Sequence, residues 1–313
     1  MGIFRSPEGM IGRTPLLRMR LIEERLSLSA ELICKMEMYN PCGSVKDRAA
    51  LAVIDTAEID GMIKPGGRVI EATSGNFGIA LAMVALRRGY SMTAVMPRGV
   101  SGERISLLSA LGAKIILTER EMGMAGARKG ASELARADKN AYFPDQFNNF
   151  APVLAHRQGT AEEILTDLGG APDLLICGVG SGATLMGVGG RLKEINPKMQ
   201  IIAVEPSGSA VLSTGVAGKH KIEGLGAGFM PPLLDMSLID SVISVDDEDA
   251  VATARLVASV EGILCGISSG AVLSAMIRLG KMDENRGKRL LTILPDGGER
   301  YLSAGIYANN IQT

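Results

Sequence analysis

Lys46 lies in the run Cys42-Gly43-Ser44-Val45-Lys46-Asp47-Arg48, where an apolar helical pattern opens. Its ammonium would sit in the first turns of that helix, where the dipole disfavours a cation. A lysine whose charged form is destabilised is a nucleophilic amine, suited to attack on a carbonyl carbon. The ordinary alternative is a surface lysine paired with Asp47 or a neighbouring acid, so the rest of the chain must decide. Three further segments rich in glycine and hydroxyls are Thr73-Ser74-Gly75-Asn76, Gly178-Val179-Gly180-Ser181-Gly182-Ala183-Thr184 and Gly266-Ile267-Ser268-Ser269-Gly270. Each reads as a turn from a strand into a helix, where backbone N–H groups and the dipole converge on anions. One such loop is commonplace; four in one chain point to a ligand with more than one anionic group. Pyridoxal phosphate joins an aldehyde, a phosphate and a ring nitrogen. Lys46, the Gly180–Thr184 loop and a ring partner near Ser268 could serve those three handles.

Rival chemistries can be weighed on the same residues. Gly178, Gly180 and Ala183 spell G-x-G-x-x-A after a strand, and Glu205 ends the next strand, which is a dinucleotide fingerprint and keeps a nicotinamide-dependent oxidoreductase open. Gly266-Ile267-Ser268-Ser269-Gly270 formally matches the G-x-S-x-G elbow of hydrolases, whose histidine must follow the serine. Both histidines, His156 and His220, precede Ser268, so that elbow lacks its base, and each reads as structural. No G-x-x-x-x-G-K-[ST] occurs, which excludes a P-loop. Cys34, Cys42, Cys177 and Cys265 stand far apart and no His pair has ligand spacing, so no metal site is expected.

These loops need a scaffold that places strand ends beside helix starts. Short apolar runs at Glu31–Met36, Arg68–Glu71, Ser91–Val95, Lys114–Leu117, Leu174–Cys177, Ile201–Val204 and Arg289–Leu294 alternate with helical patterns at Val45–Asp60, Gly78–Arg88, Ser101–Leu111, Ala125–Ala137, Gly159–Asp167, Leu185–Ile195, Asp247–Glu261 and Ala271–Leu279. This alternation predicts an α/β protein with mostly parallel sheets. An interruption at Asp145–Pro152 divides two doubly wound domains with a cleft between them: 1–147, whose residues 1–36 are expected to pack on the other, and 148–313. The 313 residues carry 33 Lys plus Arg against 34 Asp plus Glu, a formal net charge of −1, which argues against a nucleic-acid or anionic-membrane partner. No secretory leader opens the chain, so a cytoplasmic protein with reduced thiols is expected. Met1-Gly2 with Ser6 matches the myristoylation pattern, one short enough to arise by chance.

The motifs together resemble the cysteine synthase and cystathionine β-synthase family of fold-type II pyridoxal-phosphate enzymes. The likeness runs nearly end to end: Ile11-Gly12-Arg13-Thr14-Pro15-Leu16, Gly43–Arg48, Glu71–Asn76, Gln146-Phe147, Gly178–Thr184, Ala203–Pro206, His220–Phe229, Glu261–Gly270, Leu294-Pro295-Asp296 and Gly298–Ser303. The resemblance implies that Lys46 forms the internal aldimine and then removes the α-proton. Asn76 would bond the cofactor's 3′ oxygen, Gly180, Ser181, Gly182, Ala183 and Thr184 its phosphate, and Ser268 its ring nitrogen, with Asp296 a competing ring partner. Thr73, Ser74, Asn76, Phe77 and Gln146 would surround the substrate carboxylate. A hydroxyl at the ring nitrogen does not hold it protonated, which favours expulsion of a β-substituent. The implied reaction replaces the acetoxy group of O-acetyl-L-serine by sulfide through an aminoacrylate, giving L-cysteine and acetate. Alternatives within the family are an O-phosphoserine-dependent cysteine synthase and a cystathionine β-synthase-like enzyme. A homodimer, and docking of a serine acetyltransferase C-terminal tail, are implied in the same way.

Several positions depart from the family pattern, and they are expected near the substrate. Phe77 stands where relatives usually have Thr, Arg13 replaces Asn in the opening motif, and Gly159-Thr160-Ala161-Glu162-Glu163 replaces Thr-Thr-Gly-Pro-Glu. Ala183 replaces a glycine of the phosphate loop and keeps its N–H. The chain has no extra length for a haem-binding leader or a regulatory module, so it reads as a catalytic core.

Overall fold

A computed structural model of the chain describes residues 3–73 and 75–307. Ten strands occur among them: β1 (Leu16–Arg18), β2 (Glu31–Met36), β3 (Arg68–Ala72), β4 (Ser91–Pro97), β5 (Lys114–Thr118), β6 (Ala141–Tyr142), β7 (Leu174–Gly178), β8 (Gln200–Pro206), β9 (Ser241–Val245) and β10 (Arg289–Leu294). They fall into two compact units. The first comprises the described residues up to Ile11 together with Asn40–Ala155, and the second Gly12–Tyr39 with the described residues from His156 onward.

The first unit is built on a parallel sheet ordered β5-β4-β3-β6. Successive side chains of a strand point to opposite faces, and both faces are apolar here. Val69, Met92, Ala94 and Met96 join a core with Ala49, Ala50, Val53 and Ile54 of the helix Lys46–Ile59 and with Ala80, Leu81 and Val84 of the helix Asn76–Arg87. Ile70, Ala72 and Val95 pack with Ala127 and Ala131 of the helix Gly123–Ala137. A sheet covered on both faces reads as continuous apolar runs, which is how β3 and β4 stand out in the sequence.

The second unit carries the order β1-β2-β10-β7-β8-β9, parallel except for β1. β2 enters this sheet by pairing with β10, Glu31 opposite Arg289 through Met36 opposite Leu294. Leu32, Cys34, Leu290, Ile176 and Val204 share a core with the helices Asp247–Glu261 and Ile267–Gly280. On the other face Gly189 of the helix Ala183–Ile195 lies against Ile201 and Leu175, so close that a Cβ there would press on both.

All seven expected strands form. β1, β6 and β9 were not expected; the first two have three and two residues, too short for a periodic signal. The helices of the candidate loops start earlier than their apolar patterns, at Asn76, Ala183 and Ile267. Two of the four loops also differ in what precedes them. The Lys46 loop follows a 3₁₀ turn, Glu37–Tyr39, and the Ser268 segment follows the helix Asp247–Glu261, so only the loops after β3 and β7 leave a strand. Among the described residues no helix is long and apolar enough to cross a membrane.

Candidate active site

Lys46 is the first residue of its helix and is half-buried. The loop before it folds back on Asp47, which is fully buried: one carboxylate oxygen accepts from the Cys42 amide at 2.6 Å and the other from the Ser44 hydroxyl at 3.3 Å. Gly43 allows this turn with φ +72°, its N–H donating to the Asn40 carbonyl at 2.7 Å. Asp47 thus shapes the loop that presents Lys46.

In the same unit the segment after β3 turns tightly into its helix. Thr73 is buried, and its hydroxyl oxygen accepts from the Gly78 N–H at 3.0 Å. Gly78 must lack a side chain, because a Cβ would collide with the Thr73 methyl. Asn76 is half-buried in the first helical position. Phe77 is buried within the apolar core with Ile79, Ala80 and Leu81. Ser74 lies outside the described residues. Gln146 is half-buried, its amide reaching the Ala72 carbonyl at 3.5 Å, which ties it to the end of β3.

Two acidic residues that were not expected here, buried Glu71 and half-buried Asp145, support this segment. Glu71, next-to-last in β3, accepts from the Asp145 N–H at 2.8 Å. Its carboxyl is pushed up to about 8 by burial, with the backbone N–H groups of Asp145, Gln146 and Ala72 pulling the other way and the Asp145 carboxylate adding to the rise. Asp145 itself adopts φ +50°, a left-handed conformation uncommon for a non-glycine residue. Arg128 clamps its carboxylate through two hydrogen bonds of 2.9 and 2.8 Å.

In the second unit, the loop after β7 opens the helix Ala183–Ile195 with Gly182 as its N-cap at φ +86°. The helical ladder begins with the Met186 N–H donating to the Gly182 carbonyl at 2.9 Å, so the N–H groups of Ala183, Thr184 and Leu185 lie outside it. Gly180 has no room for a side chain, since a Cβ would collide with the Gly224 carbonyl oxygen. Behind the loop stands His156, 1% exposed, whose Nε2 lies 3.2 Å from the Thr184 hydroxyl and whose Nδ1 lies 2.9 Å from the Thr160 hydroxyl. The structure thus moves His156 from an isolated histidine to a contact of the loop. His220 instead lies within its own turn, Nε2 at 3.1 Å from the Gly226 carbonyl.

Ser268 occupies the second position of the helix Ile267–Gly280 and is 3% exposed; among the described residues its hydroxyl makes no hydrogen bond. Asp296 accepts from the Tyr301 hydroxyl at 2.6 Å and is pressed against Gly266, where a Cβ would collide with its carboxylate. Arg13 and the altered run after His156 meet in one cavity of about 450 Å³, lined by Arg13, Gln158, Gly159, Glu162, Glu163, Thr166 and Asp167.

Residues 8–296 match the family described as pyridoxal-phosphate dependent enzyme. The chain belongs to that family. The pyridoxal-phosphate enzymes most similar to it include a cysteine synthase of Staphylococcus aureus, 45% identical over 301 residues that cover 96% of each chain. Among solved structures, a cysteine synthase of Entamoeba histolytica superimposes with a TM-score of 0.95 at 38% identity, covering all of this chain and 93% of that one. An O-ureido-L-serine synthase does so with 0.94 at 41% identity, covering all of this chain and 98% of that one. The fold is accordingly the α/β fold-type II architecture of pyridoxal-phosphate enzymes.

The dinucleotide reading is overturned by this family and by its own acidic residue. Glu205 is buried and turned inward, accepting from the Leu212 N–H at 2.7 Å and the Ser213 hydroxyl at 2.6 Å, so it closes the following turn instead of awaiting a ribose. The donor set after β7 suits pyridoxal phosphate: first-turn N–H groups outside the ladder, two hydroxyls at Ser181 and Thr184, and no acid among residues 178–184.

Proposed function

We propose that this pyridoxal-phosphate enzyme is a cysteine synthase that replaces the acetoxy group of O-acetyl-L-serine by sulfide, releasing L-cysteine and acetate. The observation that carries this reading is the 45% identity, over 96% of both chains, to a cysteine synthase. When bound, the cofactor supplies a carbonyl carbon for the substrate amine and a ring that accepts electron density from the α-carbon. Lys46 would hold its aldehyde and afterwards take the α-proton on Nζ. The N–H groups and hydroxyls of Gly180, Ser181, Gly182, Ala183 and Thr184 would hold its phosphate, Asn76 its 3′ oxygen and Ser268 its ring nitrogen. Ser268 is the ring partner that the family resemblance implies, and Asp296, one oxygen of which accepts from Tyr301, is its competitor. Thr73, Ser74, Asn76 and Gln146 would bind the substrate carboxylate and exclude water, while Phe77, expected beside them, is buried in the apolar core of the first unit.

The same reading divides the labour between an N-terminal α/β domain, 1–147, whose first 36 residues were expected on the other domain, and a C-terminal phosphate-binding domain, 148–313; the compact units differ from this in placing Gly12–Tyr39 with the second and changing over after Ala155. It extends to a cytoplasmic homodimer able to receive a serine acetyltransferase tail, supported by the family resemblance and by four cysteines that are all free thiols. A second reading, β-replacement with another donor or nucleophile (O-phosphoserine, or a cystathionine β-synthase-like reaction), is favoured by the likeness to an O-ureido-L-serine synthase.

The test is the visible absorption spectrum of the purified holoenzyme with O-acetylserine and, separately, with O-phosphoserine. A band that moves to longer wavelength with O-acetylserine and returns when sulfide is added is expected. A response to O-phosphoserine alone would transfer the assignment to that donor. A coloured protein indifferent to both would overturn the substrate.

A further inference from the structure

We infer that His156 is the positioning residue of the phosphate loop: its Nε2 carries a proton and donates it to Thr184, turning the Thr184 hydroxyl proton outward to the cofactor phosphate. This rests on the reading above that residues 180–184 hold that phosphate.

The argument is one of proton counting. Thr184 has a single hydroxyl proton, and a phosphate dianion offers only acceptors. His156 Nε2 and Thr184 Oγ1 are 3.2 Å apart, so one of them donates to the other. Were Nε2 bare, Thr184 would turn its proton inward and present two lone pairs to the dianion, which is repulsive. With a proton on Nε2, Thr184 accepts from His156 and donates to phosphate, a charge-assisted bond of the stronger kind.

The surroundings can complete that polarity. Thr160 is fully buried, and its hydroxyl lies 2.9 Å from Nδ1. Although Thr160 is the N-cap of the helix Ala161–Leu168, its side chain makes no capping bond, so its hydroxyl is turned to the imidazole. In the neutral ring Thr160 then donates to Nδ1, Nε2 donates to Thr184, and Thr184 donates to phosphate. All three bonds run the same way, and each polarises the next. The segment His156–Thr160 is a five-residue π turn, a rare element associated with functional sites, and it brings side chains four apart to one face.

The chain has two histidines, so its imidazole nitrogens can be followed individually by ¹⁵N NMR of histidine-labelled holoenzyme, with a His220→Gln variant to assign them. A directly bonded proton on His156 Nε2 is expected; a bare Nε2 would overturn the inference without any substitution at His156. A second measurement compares the affinities of the full chain for pyridoxal 5′-phosphate and for pyridoxal, which lacks the phosphate. His156→Leu should lower the first about tenfold and leave the second unchanged, and His156→Gln, which restores an N–H donor, should recover most of the loss. If Thr184→Val lowers the phosphate preference while His156→Leu does not, the relay fails and the loop assignment stands. If neither changes it, the loop assignment itself fails.

Discussion

The helix after β3 and the helix after β7 start in the same way, at a glycine N-cap with no capping side chain, Gly75 in one case and Gly182 in the other. Their supports differ. Behind the first lie two acids: Glu71, buried with its carboxyl raised to about 8, and half-buried Asp145, at φ +50° and bonded by Arg128. Behind the second lie a glycine seated on a backbone carbonyl, Gly180 on Gly224, and the Thr160, His156 and Thr184 side chains in a hydrogen-bonded row. The phosphate loop rests on backbone N–H groups and hydroxyls with one imidazole behind them, whereas the segment proposed to take substrate rests on a carboxyl whose ionisation is strongly shifted, so its shape answers to pH.

The sharpest way to separate the two regions is to remove one without the other. Lys46→Ala is expected to lower turnover about a thousandfold or more, because the amine that takes the α-proton is lost. The preference for pyridoxal 5′-phosphate over pyridoxal should survive, since the loop after β7 is untouched. Equal loss of both would mean that the division drawn here is wrong.

Gly180→Ala makes the converse case. Its methyl group would run into the Gly224 carbonyl, so the loop must shift. We expect a loss of about 1–3 kcal/mol in thermal stability and cofactor affinity lowered tenfold to a hundredfold. Turnover at saturating cofactor should fall far less than in Lys46→Ala. A variant that binds cofactor normally would show that backbone approach at Gly180 is not what shapes the loop.

The sequence exposes these regions unevenly, and for physical reasons. β3, β4, β7 and β10 are covered on both faces, so their apolar runs are unmistakable, and Lys46 declares itself by its glycine- and hydroxyl-rich context. The first helical turns are harder to see: Asn76-Phe77-Gly78 and Ile267-Ser268-Ser269-Gly270 contain poor helix formers, which local propensity assigns to loops. The burial of Phe77 and of Ile267 through Gly270 is tertiary and outweighs local propensity. The supporting residues are harder still. Glu71 hides inside a strand pattern and meets Asp145 across 74 residues, and His156 meets Thr184 across 28. No local spacing encodes either pair. Phe77 belongs to the same class, since its type departs from relatives but its side chain is placed in the core of the first unit by packing.

The finest test of the comparison is the ionisation of Glu71. In the folded protein its carboxyl holds its proton up to about pH 8, against an ordinary value of 4.5. Between those values the native state carries a proton that the unfolded chain has lost, so unfolding releases it. Stability must therefore fall as pH rises through this window, at up to about 1.4 kcal/mol per pH unit, and level off above it. Glu71→Gln keeps an oxygen to accept the Asp145 N–H and removes the titration. Its melting temperature relative to the parent should be lowest near pH 5, climb steadily toward pH 8 and then stay constant. Parallel pH profiles for Glu71→Gln and the parent would mean that Glu71 is ionised throughout, and that the substrate segment is as insensitive to pH as the phosphate loop.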